Sequence, residues 1–180
     1  IMQKASIATS FVLLIVLASI HTSYPSHLDD DYTVSHSAEN WTNIEMYNSS
    51  QSSILKPSIV TDSNHFSHVV FIDSQVLYHT TNLSGQWVTT LIDNDAHYNP
   101  SVTIDQNDFL HIAYHIDSSS CGCLGYATNT GGSWNSQIID SSNGVSFDAR
   151  WTDIEVDSFG NITIAYYDDD GLIGMANGVS

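Results

Sequence analysis

The side chains of this sequence that could do chemistry are mostly carboxylates gathered at turn-like positions. Asp73, Asp117 and the run Asp168, Asp169, Asp170 form one set. Asp93, Asp95 and His97 form a second, and Asp140, Asp148 and Arg150 a third. Two carboxylates at a fixed separation can hydrolyse a glycosidic bond. Several converging on one point hold Ca2+. Acids placed beside an imidazole or a guanidinium offer hydrogen bonds to a glycan or a protein ligand. Asp168, Asp169 and Asp170 carry calcium-ligand chemistry without the spaced ligands of an EF-hand loop, so Ca2+ is the one ion to consider, and a solvated hairpin tip is the reading favoured over it. No organic cofactor is expected, and no catalytic residue can be named.

Two further pairs invite a sharper reading and a plainer one. Cys121 and Cys123, in "CGC", are the only cysteines. In an oxidising compartment they form a local disulfide or remain thiols, and two sulfurs alone do not make a structural metal site. His68 and His111 stand 43 residues apart, with Thr163 at the matching place further on. Zinc would need ligands converging from several elements, whereas a packing residue needs only to recur; packing is the expectation.

The charge balance narrows the partners. Three Lys or Arg stand against twenty Asp or Glu, for a formal net charge of -17. Phosphate recognition needs clustered cations, so nucleic acid and anionic lipid are excluded as partners. At the N-terminus Lys4 precedes the apolar run "FVLLIVLASI", Phe11 to Ile20. That run is about half the ~20 residues a membrane-spanning helix requires, so residues 1–23 read as an export signal and the mature chain is expected to be secreted or held at the cell surface without inserting into a membrane. Residues 24–40 read as a linker.

The elements that must position these residues emerge from a repeat. "PSIVTDSNHFSHVVFID" from Pro57, "PSVTIDQNDFLHIAYHID" from Pro100 and "WTDIEVDSFGNITIAYYDDD" from Trp151 share one grammar, in which Asp62, Asp105 or Asp157 closes an alternating run before a polar turn. Pro57 and Pro100 are 43 apart, while Trp41, Trp87 and Trp134 stand 46 and 47 apart. Each unit contains short β-branched and aromatic runs separated by Gly, Asn, Asp and Ser, which is strand-and-turn chemistry. Four antiparallel strands per unit is the period of a β-propeller blade, with an all-β sandwich as the alternative. The expected units run near 57–93, 100–140 and 151–180, within a domain spanning 41–180, and 41–47 is expected as a lone outer strand.

The stretch "ATNTGGSW", Ala127 to Trp134, resembles the BNR or Asp-box repeat of the sialidase superfamily, with Asn129 in the place of its acid, Gly131 and Trp134 kept, and a weaker copy in "TTNLSGQW". The resemblance implies a β-propeller and a hairpin between the third and fourth strands of a blade. Asn129 is expected to bond the amides of its own turn. Trp87 and Trp134 are expected to open the outermost strands and to be largely buried between blades. Sialidases clamp the substrate carboxylate with three arginines, whereas this chain has one, Arg150, so sialidase activity is not expected.

Meander topology sorts the acids by end. Turns between strands one and two and between three and four share one end of a blade, and the remaining turns and the inter-blade crossovers share the other. Asp62, Asp105 and Asp157 fall at the first end and are expected to bond their own turns. Asp73, Asp95, His97, Asp117, Asp148, Arg150, Asp168 and Asp169 fall at the crossover end, where a binding site is expected. The strand inventory amounts to about three blades, an incomplete ring, so the chain reads as part of a longer propeller or as one that self-associates. The expected role is an exported binding or scaffolding module for a glycan or protein, and the alternative is part of a glycoside hydrolase or lyase completed by further blades.

Overall fold

A computed structural model describes residues 42–49, 54–118, 121–141, 151–167 and 173–179. Eleven strands are formed and no helix occurs among these residues. β1 (Ile54–Thr61), β2 (Ser67–Asp73), β3 (Val76–Thr81) and β4 (Val88–Asp93) make one antiparallel meander. β5 (Tyr98–Ile104), β6 (Leu110–Ser118), β7 (Cys121–Thr128) and β8 (Asn135–Ser141) make a second. β9 (Thr152–Val156), β10 (Asn161–Tyr167) and β11 (Ile173–Val179) make a three-stranded third. These are successive β-propeller blades, and among the described residues they do not close a ring.

The sheets are bound to one another through their first strands. The Val102 amide donates to Ser58 Oγ at 3.2 Å, Ser101 Oγ donates to Asp153 at 3.1 Å, and Thr152 Oγ1 donates to the Asn99 carbonyl at 2.7 Å. Both full sheets carry the same irregularity in that first strand. Lys56 and Asn99 take positive φ, 30° and 46°, just before Pro57 and Pro100, and the ladder register shifts there. A bulge at this point leaves unpaired the position where proline has no N–H to give.

Burial explains the unbroken apolar runs of the second strands. In β6, Ile112, Tyr114 and Ile116 pack toward the first sheet with Val70, Ile72, Leu77 and Leu110, while Ala113 packs toward the third with Leu124, Tyr126, Ile154, Ile162, Ile164 and Tyr166. β6 is thus covered on both faces, and alternation disappears there because neither face meets water.

The three turn acids behave as expected. Asp62 accepts the amides of Asn64 and Phe66, Asp105 those of Asn107 and Phe109, and Asp157 those of Phe159 and Asn161, all within 2.9 Å. His65, Asp108 and Gly160 hold the left-handed position that each turn requires.

Two expectations need correction. Of the lone strand expected at 41–47, the described residues 42–47 form no strand, and Tyr47 packs on the first sheet with its ring 4.6 Å from that of Phe71. Asn129 does not bond the amides of its own turn with its side chain; Oδ1 accepts the Leu110 amide at 2.7 Å, and Asn82 accepts the Ser67 amide at 2.9 Å in the same way. The amide that opens the second strand is the unpaired donor nearest the hairpin, and the asparagine satisfies it.

Trp87 and Trp134 do immediately precede β4 and β8, but both are half-buried rather than largely buried. Trp134 packs at the junction of the first two sheets, edge-on to His79 at 5.4 Å, as the resemblance implied. Trp87 belongs to the first sheet, which has no sheet before it among the described residues.

Candidate functional site

The crossover end of the molecule is built by a short connection that touches both full sheets. Leaving β4, the chain bonds the Ala96 amide to the Gln75 carbonyl of the β2–β3 turn at 3.0 Å, then the His97 amide to the His115 carbonyl of β6 at 2.8 Å. Ser74 and Gln75, both at positive φ (53° and 71°), make that turn a two-residue primed hairpin. The connection and the turn enclose an open cleft of about 330 Å3, lined by Leu55, Ser74, Gln75, His97 and Tyr98.

The cleft combines one flat ring with several hydrogen-bonding groups. Tyr98 is 39% exposed, and its ring stacks on that of buried His115 at 5.5 Å, which fixes its orientation. His97 Nδ1 accepts the Asp117 amide at 3.2 Å. A backbone N–H can only donate, so in neutral His97 the proton sits on Nε2, leaving that nitrogen a donor. Ser74 and Gln75 add a hydroxyl and a carboxamide beside the tyrosine.

The expected site residues divide here. His97 lines the cleft, Asp95 lies on the same crossover and Asp117 near the end of β6 is bonded to His97 through its amide, both acids being exposed. Asp73 lies at the same end but is engaged: it accepts from Tyr47 Oη at 2.9 Å and Ser74 Oγ at 3.0 Å, and hydrogen bonds from Ser49 and Tyr47 hold its carboxyl below the ordinary carboxylate range against the opposing effect of burial. Asp148, Arg150, Asp168, Asp169 and Asp170 lie outside the described residues, and with them the calcium candidates. Among the described residues no three metal-binding side chains converge. Cys123 is fully buried and disulfide-bonded, and the Cys121 side chain lies outside the described residues.

Two other carboxylates of the crossover sets are tied into the fold. Asp93 accepts from Tyr114 Oη at 2.6 Å and Asp140 from Tyr166 Oη at 2.6 Å, each bond joining one sheet to the next. The arrangement can bind a neutral polar molecule through hydrogen bonds and ring stacking.

At the other end of the sheets His68 and His111 are buried beside their turn acids, with Nε2 at 3.5 Å from Asp62 and 3.7 Å from Asp105. His68 Nδ1 meets His79 Nε2 at 3.0 Å, and His111 Nδ1 meets Tyr126 Oη at 2.6 Å. Burial, with His68 nearby, pushes His79 down to about 4. These imidazoles are structural polar links inside the blades.

Of the residues at this cleft, the sequence singles out His97, Asp95 and Asp117 by their chemistry and does not single out Ser74, Gln75, Leu55 and Tyr98. The primed turn carries no Asn-Gly signature, and Tyr98 reads as an ordinary strand aromatic until its neighbours are placed. The proline bulge two residues later was the available signal that the strand starts irregularly there.

No family profile and no curated protein matches the sequence. Among solved structures, similarity is found to a fucose lectin from Kordia zhangzhouensis in complex with methyl-fucoside, at 14% identity and a TM-score of 0.48, covering 69% of this chain and 93% of the lectin. It is also found to a GH93 α-L-arabinofuranosidase of Fusarium graminearum in complex with arabinobiose, at 8% identity and a TM-score of 0.49, covering 71% of this chain and 46% of the enzyme. The chain therefore spans about half the length of the arabinofuranosidase. At such overlap neither protein says what this chain binds. No helix among the described residues is long and apolar enough to cross a membrane.

Proposed function

We propose that the chain is an exported β-propeller module that binds a neutral saccharide in the cleft between its first two sheets. The observation that carries this reading is Tyr98, a half-exposed ring oriented by His115 and surrounded by the hydrogen-bonding groups of Ser74, Gln75 and His97. A pyranose presents an apolar C–H face to such a ring and hydroxyls at its rim. Exposed Asp95 and Asp117 and the net charge of -17 disfavour sialic and uronic acids, so the ligand is uncharged.

One open cleft with five lining residues supports dissociation constants on the order of millimolar to high micromolar for a monosaccharide. Export rests on the N-terminal run that ends at Ile20. A glycan array displaying neutral and acidic oligosaccharides tests the reading, with Tyr98→Ala alongside. Binding to neutral glycans that the variant loses while keeping its circular dichroism supports it. Equal signals from both proteins, or a preference for sialylated glycans, contradict it.

A further inference from the structure

The first strands of the three sheets share a register at the crossover end. Ser58, Ser101 and Asp153 hold one ladder position, because they pair with Val70, Ala113 and Ala165, each two residues beyond His68, His111 or Thr163. Two residues before them stand Lys56, Asn99 and Trp151, so the same place on three successive sheets carries a cation, an amide and an indole. Thr152 donates to the Asn99 carbonyl at 2.7 Å, which sets the amide and the indole side by side. Lys56 completes the row: its ammonium lies 3.2 Å from the centre of the Trp151 ring and so joins the first sheet to the third.

The choice of partner for that cation is informative. In a chain with three Lys or Arg and twenty Asp or Glu, Lys56 pairs with no carboxylate among the described residues and faces an indole instead. An ammonium over one face of a ring holds the ring in one orientation. Trp151 is nevertheless 58% exposed, whereas the repeat tryptophans Trp87 and Trp134 are half-buried against the sheets. A ring that is oriented and still open to solvent is suited to contact a ligand. The row also continues the saccharide cleft, because Leu55 and Tyr98, which line it, directly precede Lys56 and Asn99. From Tyr98 the surface passes across Asn99 to Trp151, aromatic at both ends and polar between them.

We infer that Trp151, positioned by Lys56, is a second sugar-binding position, and that the ligand is a neutral oligosaccharide with one ring on Tyr98 and another on Trp151. This rests on the saccharide reading of the cleft and adds to it the length of the ligand. A monosaccharide covers the Tyr98 end alone. Once that first ring is bound, a ring stacked on Trp151 adds contact without a second loss of overall translational and rotational freedom. Affinity therefore rises with the number of sugar rings until both aromatics are covered, and then levels off.

Titration of the full chain with the methyl glycosides of glucose, galactose, mannose and xylose, and with their linear oligomers up to the tetrasaccharide, reads the outcome. The expected result is at least tenfold tighter binding of one oligomer than of its methyl glycoside. Trp151→Ala should remove that gain while the methyl glycoside binds as before, which also shows that the variant is folded, and Trp151→Tyr should keep part of it. Should Trp151→Ala lose the methyl glycoside as well, Trp151→Tyr decides: a reduced gain supports the inference and a full one overturns it. Binding that is independent of chain length, or a gain that survives Trp151→Ala, would overturn the inference and leave the cleft standing. Absence of binding at every length would overturn the cleft and the inference together.

Discussion

Tyr114 and Asp93 are joined by a 2.6 Å hydrogen bond that crosses from the second sheet to the first, and the phenol that makes it is completely buried. Burial foremost, and then the Asp93 carboxylate, push the Tyr114 hydroxyl far above its ordinary range. The neutral phenol is therefore the folded form. Below about pH 10 its contribution to stability is fully present. As pH rises past that point the unfolded phenol ionises while the folded one does not, so stability falls. Tyr114→Phe should cost about 2 kcal/mol at neutral pH and flatten the alkaline limb, as measured by urea unfolding between pH 7 and pH 11.

His79 sets the acid side. Its folded value of about 4 lies below the ordinary 6.5, so the folded state keeps it neutral while the unfolded state takes up a proton. The stability it contributes is present above about pH 6.5 and is lost as pH falls toward 4, by an amount on the order of 3 kcal/mol. Replacing it by Phe, which can keep the ring contact to Trp134, should reduce the slope of stability between pH 4 and pH 6.5. An unaltered slope would show that other groups govern the acid limb.

Gly125 and Gly174 each make room for one of the two tyrosines that latch neighbouring sheets together, Tyr114 on Asp93 and Tyr166 on Asp140. A Cβ on Gly125 would stand 2.8 Å from the Tyr114 ring and 2.8 Å from Ile116 Cδ1, and one on Gly174 would strike the Tyr166 ring. Gly125→Ala should therefore displace Tyr114 and cost about 1–3 kcal/mol. Gly178→Ala, with nothing within 4 Å of the added carbon, is the control and should stay within about 0.5 kcal/mol of wild type in chemical denaturation.

Much of this architecture is written in local sequence. The turn acids Asp62, Asp105 and Asp157 and the tryptophans that precede β4 and β8 are legible because each acts within a few residues of itself. The Tyr114–Asp93 and Tyr166–Asp140 latches are not, since the partners lie in different units and Phe71 breaks the pattern in the first. Residues 42–47 read as a strand because their composition and register match β4 and β8. Among the described residues they have no third strand to pair with, and no local pattern reports that. The cleft was half legible: His97 and its acidic neighbours stand out by chemistry, but Tyr98, Ser74 and Gln75 meet only through the bulge and the primed turn.

The saccharide site is tested most directly by nuclear magnetic resonance of the 15N-labelled chain titrated with a panel of neutral methyl glycosides. At least one should shift the amides of Ser74, Gln75, His97 and Tyr98 in a saturable way, leave those of the Asp62 and Asp105 turns at the opposite end unmoved, and lose its effect in Tyr98→Ala. Saturable shifts confined to that opposite end, or no saturable shift with any glycoside of the panel, would contradict the account.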